Sequence, residues 1–453
     1  SLAKRDRAQL QGFVRASLFL ELVVGTFLSV TLFVFSDIIA IEVFNKPDLG
    51  FFLRITSPMI FLAALSNTYM STLVGYHKMK DFAAINICNF VVKLGLAVYL
   101  VASGYGVAGA LLGFVVGWLV GSVLSVIFYI VKIRPHLRGV SPHDLVIQSK
   151  KMLAFGVPMA VSMASILIYE GVGPLILAAF SEEIEPVSLY AIAFGMVALP
   201  LIISRSINTS FFPIVSALDA RKKMKKLRET YQSIVRLTML LLNPLLVGMV
   251  VLSPQIIELL YGVEFKGAVY PFVILALWGF LRPTYTFAGS VLAGTGTPKT
   301  NAKIDGFTAV LNFCLNLVLI PLFIAVDQGY GPIGAAIATS FSYIIGMSVL
   351  IHLANKRIGA RLPLSHISKS LGAAVLSGAV MYIVMHGLMM SELLYGIPGL
   401  FTAIAVTFFL GLCLYVALLS ALRAFKDEDI DIIQNLQIPL KDRVIRIVTI
   451  LKR

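Results

Sequence analysis

Long apolar runs recur along the sequence, and they restrict the possible folds more than any other feature. Each is about 20 residues or longer, enough to cross a bilayer as a helix. Only 13% of the residues are charged, too few for the surface of a soluble globule of this size. The chain is therefore predicted to be an all-α polytopic membrane protein. The twelve predicted spans are 17–41, 54–74, 84–103, 107–131, 152–180, 187–212, 234–253, 268–293, 304–325, 333–353, 370–389 and 399–422.

Basic residues are concentrated in alternate loops between these spans. Thirty of the 37 Lys and Arg residues lie in one set of loops. The other set, with the adjoining helix ends, holds only Lys46, Arg54 and Lys266. Cytoplasmic loops carry such an excess of Lys and Arg. Both ends of the chain belong to the basic set, so both termini are predicted to be cytoplasmic. The net charge of +14 is then explained by the basic residues of the cytoplasmic loops, and no nucleic-acid partner is expected.

Parts of the sequence recur at a nearly constant offset. Gly75-Tyr-His-Lys78 recurs as Gly296-Thr-Pro-Lys299, and Gly104-Tyr-Gly-Val-Ala-Gly-Ala110 recurs as Gly329-Tyr-Gly-Pro-Ile-Gly-Ala335. Spans one to four thus correspond to spans seven to ten. An even number of spans separates the copies, so the repeat is parallel, with its pseudo-twofold axis along the membrane normal.

Spans five and six have no counterpart in the sequence, which begins at Ser1 within a basic stretch. We therefore expect two further helices before it and fourteen in the complete protein, as two parallel six-helix repeats plus two C-terminal helices. The expected domains are an N-lobe at 1–131, a cytoplasmic linker at 132–151, a C-lobe at 152–353, two additional helices at 354–422 and a cytoplasmic tail at 423–453.

This organisation resembles the multidrug/oligosaccharidyl-lipid/polysaccharide (MOP) flippase superfamily, and within it the polysaccharide transporter branch of O-antigen flippase type. The motifs that carry the resemblance are Phe155-Gly-Val-Pro158, Ser188-Leu-Tyr-Ala-Ile-Ala193, Phe211-Phe-Pro213, Leu260-Tyr-Gly-Val-Glu-Phe265 and Leu292-Ala-Gly-Thr-Gly-Thr-Pro-Lys299. The resemblance implies that two lobes around a central cavity move a polyprenyl-linked oligosaccharide across the cytoplasmic membrane by alternating access. It also implies that the bilayer and this lipid-linked substrate are the partners of a monomeric protein.

Five polar residues within the spans are candidates for lining a substrate cavity: Arg282, Arg205, Lys93, Glu170 and Asn208. A charge at mid-bilayer costs at least about 2.5–3.5 kcal/mol on insertion scales and usually faces the interior of the bundle. Arginine suits a pyrophosphate because its planar fork can bond in two places. The alternative interpretation is structural, with Glu170 paired to Arg205 or Arg282 and Lys93 extending toward the interface.

The sequence indicates no catalytic residue, metal site or cofactor. Cys88, Cys314 and Cys413 show neither disulfide nor metal-ligand spacing, and no P-loop pattern is present. ATP hydrolysis is therefore not expected, which leaves an ion gradient, with a coupling ion as a further partner, or consumption of the product downstream.

Three functions remain open: a lipid-linked oligosaccharide flippase, a cation-coupled exporter of the multidrug and toxin extrusion type, and a membrane-embedded glycosyltransferase or ligase. A cavity for cationic drugs needs net acidic groups. The charged residues deep in the spans are instead one acid, Glu170, and three bases, Lys93, Arg205 and Arg282. An enzyme needs a sizeable outer loop, and the longest, 254–267, is short. The sequence favours the flippase, then the exporter, then the enzyme.

Overall fold

A computed structural model describes residues 2–76, 78–137, 149–150, 152–153, 171–390 and 396–422. Within these residues the chain forms helices joined by turns, without strands. This is the structure that a bilayer demands, because a helix satisfies its backbone hydrogen bonds within a single segment. The chain divides into two compact units, Ser1–Val161 and Ser162–Arg453. The limits of the expected lobes stay a prediction.

The described part of the first unit contains four long helices. They are α1 (Leu2–Val34), α2 (Leu49–Gly75), α3 (Met79–Leu100) and α4 (Gly106–Lys132). Helix α2 packs against both α1 and α4, and α4 packs against α3. The chain turns from α3 into α4 at Gly104, whose φ of 91° is a conformation that glycine adopts without a steric penalty.

Small residues let α4 approach α3 closely. Gly109, Gly113, Gly117 and Gly121 are buried at every fourth position of α4. A Cβ at Gly113 would lie 2.5 Å from the backbone nitrogen of Ala97, so the two backbones are nearly in contact. Small residues at this spacing are a common means of packing helices in membranes.

The second unit contains the remaining helices. They are α5 (Gly171–Phe180), α6 (Glu185–Ala220), α7 (Met224–Val251), α8 (Ser253–Tyr261), α9 (Val269–Gly279), α10 (Arg282–Gly294), α11 (Pro298–Ile324), α12 (Gly331–Ile358), α13 (Leu364–Met390) and α14 (Gly396–Ala421). Helices α6, α9, α10 and α12 pack on one another around an apolar core, and α11 packs along α12.

Polar side chains attach the last two helices to α7. The Tyr415 hydroxyl of α14 donates to the carbonyl oxygen of Leu240 in α7 at 2.8 Å. Ser370 of α13 lies 2.8 Å from the same hydroxyl and accepts a hydrogen bond from the side-chain amide of Asn243 in α7 at 2.9 Å. These groups are buried, so the network satisfies donors and acceptors that would otherwise be costly in an apolar environment.

Ten helical segments in the described residues are long and apolar enough to cross a membrane, which confirms a polytopic all-α membrane protein. One of the ten, Met79–Lys132, contains both α3 and α4 and therefore two of the predicted spans. The predicted span 152–180 lies mostly outside the described residues. The totals of twelve and fourteen, and the repeat, stay predictions.

Candidate functional site

Helix α6 carries an accessible polar face in the middle of an apolar span. Arg205, Ser206, Thr209 and Ser210 are exposed, although α6 as a whole is strongly apolar. The Ser206 and Thr209 hydroxyls bond to carbonyl oxygens of their own helix, but a guanidinium is poorly solvated by hydrocarbon, so a face that carries one normally lines a polar or water-filled cavity. Arg205 therefore lies on the most hydrophilic part of this span.

A break in the next span places Arg282. Helix α9 ends at Gly279 and α10 begins at Arg282, with Pro283 in its first turn. Proline has no backbone N–H to continue the preceding helix but fits the start of a new one. The amide of Leu281 instead donates to the carbonyl oxygen of Trp278 at 3.0 Å. Arg282 thus begins a helix in the middle of the span.

Two aromatic rings hold the Arg282 guanidinium. Its central carbon lies 5.1 Å from the ring centre of Tyr285 and 5.8 Å from that of Trp278, within the range of cation–π attraction. Trp278 is itself buried against Tyr343 at 5.1 Å and Phe194 at 6.0 Å between ring centres. The cation therefore rests on a rigid aromatic surface while its own side chain stays half-buried.

Asp305 completes this cluster and was missed by sequence reasoning. The Tyr285 hydroxyl donates a hydrogen bond to Asp305 Oδ1, and the charges of Asp305 and Arg282 interact. The predicted span began at 304, which put Asp305 at its very edge. Helix α11 begins earlier, at Pro298, so Asp305 lies about two turns inside it. Proline at a helix start was the signal available in the sequence.

Asn208 lies in the contact between α6 and α10. Its side-chain oxygen accepts a hydrogen bond from Ser290 Oγ at 2.7 Å. Nearby in sequence, the Asn301 amide donates to the carbonyl oxygen of Gly289 at 2.8 Å, which joins α11 to α10. Polar contacts thus connect α6, α10 and α11, the helices that carry Arg205, Arg282 and Asp305.

Lys93 and Glu170 are the two remaining candidates from the sequence. Lys93 lies in the first unit, half-buried in α3, with its ammonium group 4.5 Å from the ring centre of Phe114 in α4. A Cβ at Gly117 would lie 2.6 Å from Lys93 Cβ, so the base of this side chain fills the α3–α4 contact. Glu170 lies outside the described residues, and its proposed pairing stays a prediction.

Arg236 lies two residues inside the predicted span 234–253, where the sequence predicts an ordinary anchor at the membrane interface, and the structure buries it instead. Its residue is only 3% exposed, and it donates to Ser233 Oγ at 3.3 Å. Helix α7 begins at Met224, ten residues before the predicted start of the span at 234. Arg236 therefore lies several turns inside a packed helix, away from the surface.

The family of the chain follows from a match over more than half of its sequence. Residues 6–270 match the family described as polysaccharide biosynthesis protein. The chain belongs to this family. Among the described residues of this polysaccharide biosynthesis protein there is no group of three or more His, Cys, Asp or Glu that could hold a metal ion.

Curated relatives include two flippases of Haloferax volcanii. The probable low-salt glycan biosynthesis flippase Agl15 is 24% identical over 71% of this chain and 65% of its own length. The probable flippase AglR is 27% identical over 47% of this chain and 43% of its own length. The teichuronic acid biosynthesis protein TuaB of Bacillus subtilis is 24% identical over 61% and 56%, respectively. The chain thus spans less than two thirds of the length of these relatives.

Solved structures show the fold. The lipid II flippase MurJ in an inward closed conformation has a TM-score of 0.69 at 17% identity, covering 93% of this chain and 90% of MurJ. An inward-facing multidrug resistance MATE family transporter of the MOP superfamily has a TM-score of 0.68 at 17% identity, covering 79% and 83%. The polysaccharide biosynthesis protein is therefore a multi-pass membrane protein of the MOP transporter fold, as the sequence resemblance predicted.

Proposed function

We propose that this protein moves a polyprenyl-(pyro)phosphate-linked oligosaccharide from the cytoplasmic to the outer leaflet by alternating access. The observation that carries the proposal is the placement of Arg282 in the middle of a span, held by Trp278 and Tyr285 and facing the charge of Asp305. Membership of the family and the similarity to proteins named as flippases also support transport of a lipid-linked saccharide.

The chemistry of the cluster suits an anionic head group. A guanidinium offers five N–H donors in a fixed fork, and phosphate accepts them in pairs. The aromatic rings fix the orientation of Arg282, so less rotational freedom is lost when an anion binds. Arg205, exposed on α6, offers a second cation and Asn208 an amide group for a long pyrophosphate-linked molecule.

The charge balance favours an anionic substrate over a cationic drug, even with Asp305 included. Beside the two candidate cations Arg205 and Arg282, the second unit adds the newly recognised acid Asp305, whose carboxylate already accepts a hydrogen bond from Tyr285. The MATE-like fold does not decide between the substrates, because a fold supports many functions. The exporter remains the alternative, and the enzyme ranks behind both because the relatives are named for transport and biosynthesis.

The proposal also includes several predictions made from the sequence. They are the N-lobe at 1–131, the C-lobe at 152–353, the cavity between the lobes, the cytoplasmic termini and a monomeric working unit. Lys93 and Glu170 are retained as candidate cavity residues within it.

Binding of the lipid-linked substrate tests the proposal. The purified chain in nanodiscs is titrated with a polyprenyl-pyrophosphate-linked disaccharide, and Kd is measured for Arg282→Gln, Arg282→Lys and the control Arg361→Gln. Arg361 is exposed and lies outside the cluster. Because a hydrogen bond to a charged group contributes about 1.5–3 kcal/mol, Arg282→Gln is expected to weaken binding at least about tenfold, and Arg282→Lys less. Unchanged affinity in Arg282→Gln would refute the role of this cluster.

A further inference from the structure

Helix α7 contains a proline that leaves one backbone carbonyl without a partner in its own helix. Pro244 lies inside α7, about two turns before the helix ends at Val251. Proline has no N–H to donate to the carbonyl oxygen of the residue four positions earlier, which is Leu240, and its ring pushes against that carbonyl. Sharp bends in long helices occur mainly at such prolines. The turn from Leu240 to Pro244 is therefore where α7 bends most easily.

Helix α14 supplies the missing partner. The Tyr415 hydroxyl donates to the Leu240 carbonyl oxygen at 2.8 Å, and both residues are buried. Ser370 of α13 lies 2.8 Å from the same hydroxyl, and it accepts a hydrogen bond at 2.9 Å from Asn243, the residue next to the proline. The last two helices thus hold α7 at the turn that Pro244 deprives of its own hydrogen bond.

The part of α7 after the proline packs on the break between α9 and α10. A Cβ at Gly279, the last residue of α9, would lie 3.5 Å from Leu246 Cδ2 in α7. Phe280, within the break, packs against the apolar cluster that contains Leu240 and Tyr415. The proline turn of α7 and the break in the next span therefore lie side by side, with α14 packed against both.

This break also carries the parts of the Arg282 cluster. The amide of Leu281 donates to the carbonyl oxygen of Trp278 at 3.0 Å, and α10 begins at the next residue, Arg282. The Trp278 ring lies beside the guanidinium. Because protein interiors are closely packed and transmit strain, a change in the direction of α7 at this level displaces the break and, with it, Arg282.

We propose that Pro244 is a hinge in α7, and that the Tyr415 hydroxyl fixes its angle and thereby positions Arg282. Tyr415 is a positioning residue, because it acts through the carbonyl that the proline leaves unpaired. The hinge can be detected without any substrate. Only its effect on affinity rests on the proposed function.

Tryptophan fluorescence offers a direct readout of the hinge. The chain has two tryptophans, Trp118 in the first unit and Trp278 beside Arg282. In a Trp118→Phe background the emission of the full chain in nanodiscs comes from Trp278 alone. The second readout is the Kd for the polyprenyl-pyrophosphate-linked disaccharide, and thermal unfolding checks that each variant is folded.

Three substitutions make the test. Tyr415→Phe removes the hydroxyl that holds the Leu240 carbonyl, and Pro244→Ala restores the backbone N–H that this carbonyl lacks. Ser377→Ala is the matched control, because Ser377 is a buried hydroxyl of α13 near Pro244 that makes no hydrogen bond with a described residue.

Tyr415→Phe is expected to shift the Trp278 emission and to weaken disaccharide binding about fivefold or more, whereas Ser377→Ala changes neither. In the Pro244→Ala background the same substitution is expected to have no further effect, because the Leu240 carbonyl is bonded within α7. If Tyr415→Phe folds only in that background, the rescue supports the hinge as well. No effect in the wild type, an equal effect in both backgrounds, or failure to fold in both would overturn it.

The two proposals fail in different ways. A shift of the Trp278 emission in Tyr415→Phe, in a protein whose wild type does not bind the disaccharide, would refute the proposed function and leave the hinge intact. Wild-type binding of the disaccharide, with the same Trp278 emission and the same Kd in Tyr415→Phe, would refute the hinge and leave the proposed function intact.

Discussion

At the scale of the residue, Arg282 is held by interactions of different kinds. Its guanidinium lies over Trp278 and Tyr285, and the hydroxyl of Tyr285 reaches Asp305. Tyr285 therefore does two things: its ring attracts the cation and its hydroxyl positions the neighbouring acid. An arginine fixed in this way presents its donors in a constant direction, which is what recognition of a phosphate requires.

Removing one hydroxyl separates these two contributions. In Tyr285→Phe the ring stays beside Arg282 but Asp305 loses its donor. We expect a loss of about 1–3 kcal/mol in stability, because a half-buried charged acceptor loses its partner, together with several-fold weaker binding of the lipid-linked disaccharide. Thermal unfolding and the Kd measurement test this.

Thr286→Ala is the matched control for this change. Thr286 is adjacent in sequence, and its hydroxyl bonds only to the carbonyl oxygen of Arg282 within its own helix. Substrate affinity is expected to stay within about twofold of wild type. Equal losses of affinity in Tyr285→Phe and Thr286→Ala would mean that the Tyr285–Asp305 contact has no specific role.

Individual residues of the candidate site could be predicted where the type of side chain alone is informative. Arg282, Arg205 and Asn208 could be selected because polar groups within apolar runs are rare and expensive. Asp305 was missed because its depth depends on where α11 begins. The role of Trp278 was not visible either, since a sequence with 30 Phe and 16 Tyr has aromatic residues near every cation.

At the scale of the element, α4 and α12 carry the same arrangement of small residues. Gly334, Ala338, Ser342 and Gly346 are buried on α12, at the spacing seen on α4. Each lies 225 positions after its counterpart Gly109, Gly113, Gly117 or Gly121. Helices α3 and α11 are the neighbours that they contact. This correspondence agrees with the predicted repeat, which stays a prediction.

The close contact of α4 with α3 predicts a clear difference between two glycine substitutions. Gly113→Ala would bring a Cβ to 2.5 Å from the backbone of Ala97, so the helices must separate, at a cost of about 1–3 kcal/mol. Gly95→Ala on α3 meets no atom within 4 Å and is expected to be neutral or stabilising by up to about 1 kcal/mol. Thermal unfolding in detergent compares them. A Gly113→Ala protein as stable as Gly95→Ala would contradict the close packing.

Element boundaries were predicted less well than element identity. Helix α7 begins at Met224 and α11 at Pro298, well before the apolar runs start at 234 and 304. Hydropathy detects the part of a helix within hydrocarbon, whereas the backbone hydrogen bonds continue into the polar segment. The helix break before Arg282 coincides with Pro283, whose missing N–H has a local effect that can be read from the sequence.

At the scale of the whole molecule, the distribution of basic residues predicts which loops face the cytoplasm. We expect Glu182→Cys, in the exposed turn before α6, to react with a membrane-impermeant maleimide added outside intact cells. Lys223→Cys, exposed before α7, is expected to react only after permeabilisation. The background is a variant in which Cys88, Cys314 and Cys413, all exposed, are replaced by serine. Reaction of both new cysteines from the same side would overturn the predicted topology.

The fold class was the most predictable property of the molecule. Few charges and long apolar runs leave a chain no alternative to spanning helices, and the described structure has the fold of MurJ and of a MATE transporter. Substrate identity was less predictable, because related folds carry different substrates and the decisive groups are a few side chains. Arg282 and Asp305 are such groups, and only the packing of α10 against α11 relates them.

Transport itself is the most direct test of the central proposal. Proteoliposomes are prepared with a fluorescent polyprenyl-pyrophosphate-linked oligosaccharide, and a membrane-impermeant quencher reports how fast the lipid exchanges between leaflets. We expect a protein-dependent rate that falls at least about tenfold in Arg282→Gln and is unchanged in Arg361→Gln. A rate equal to that of protein-free vesicles, with export of a hydrophobic cation instead, would contradict it.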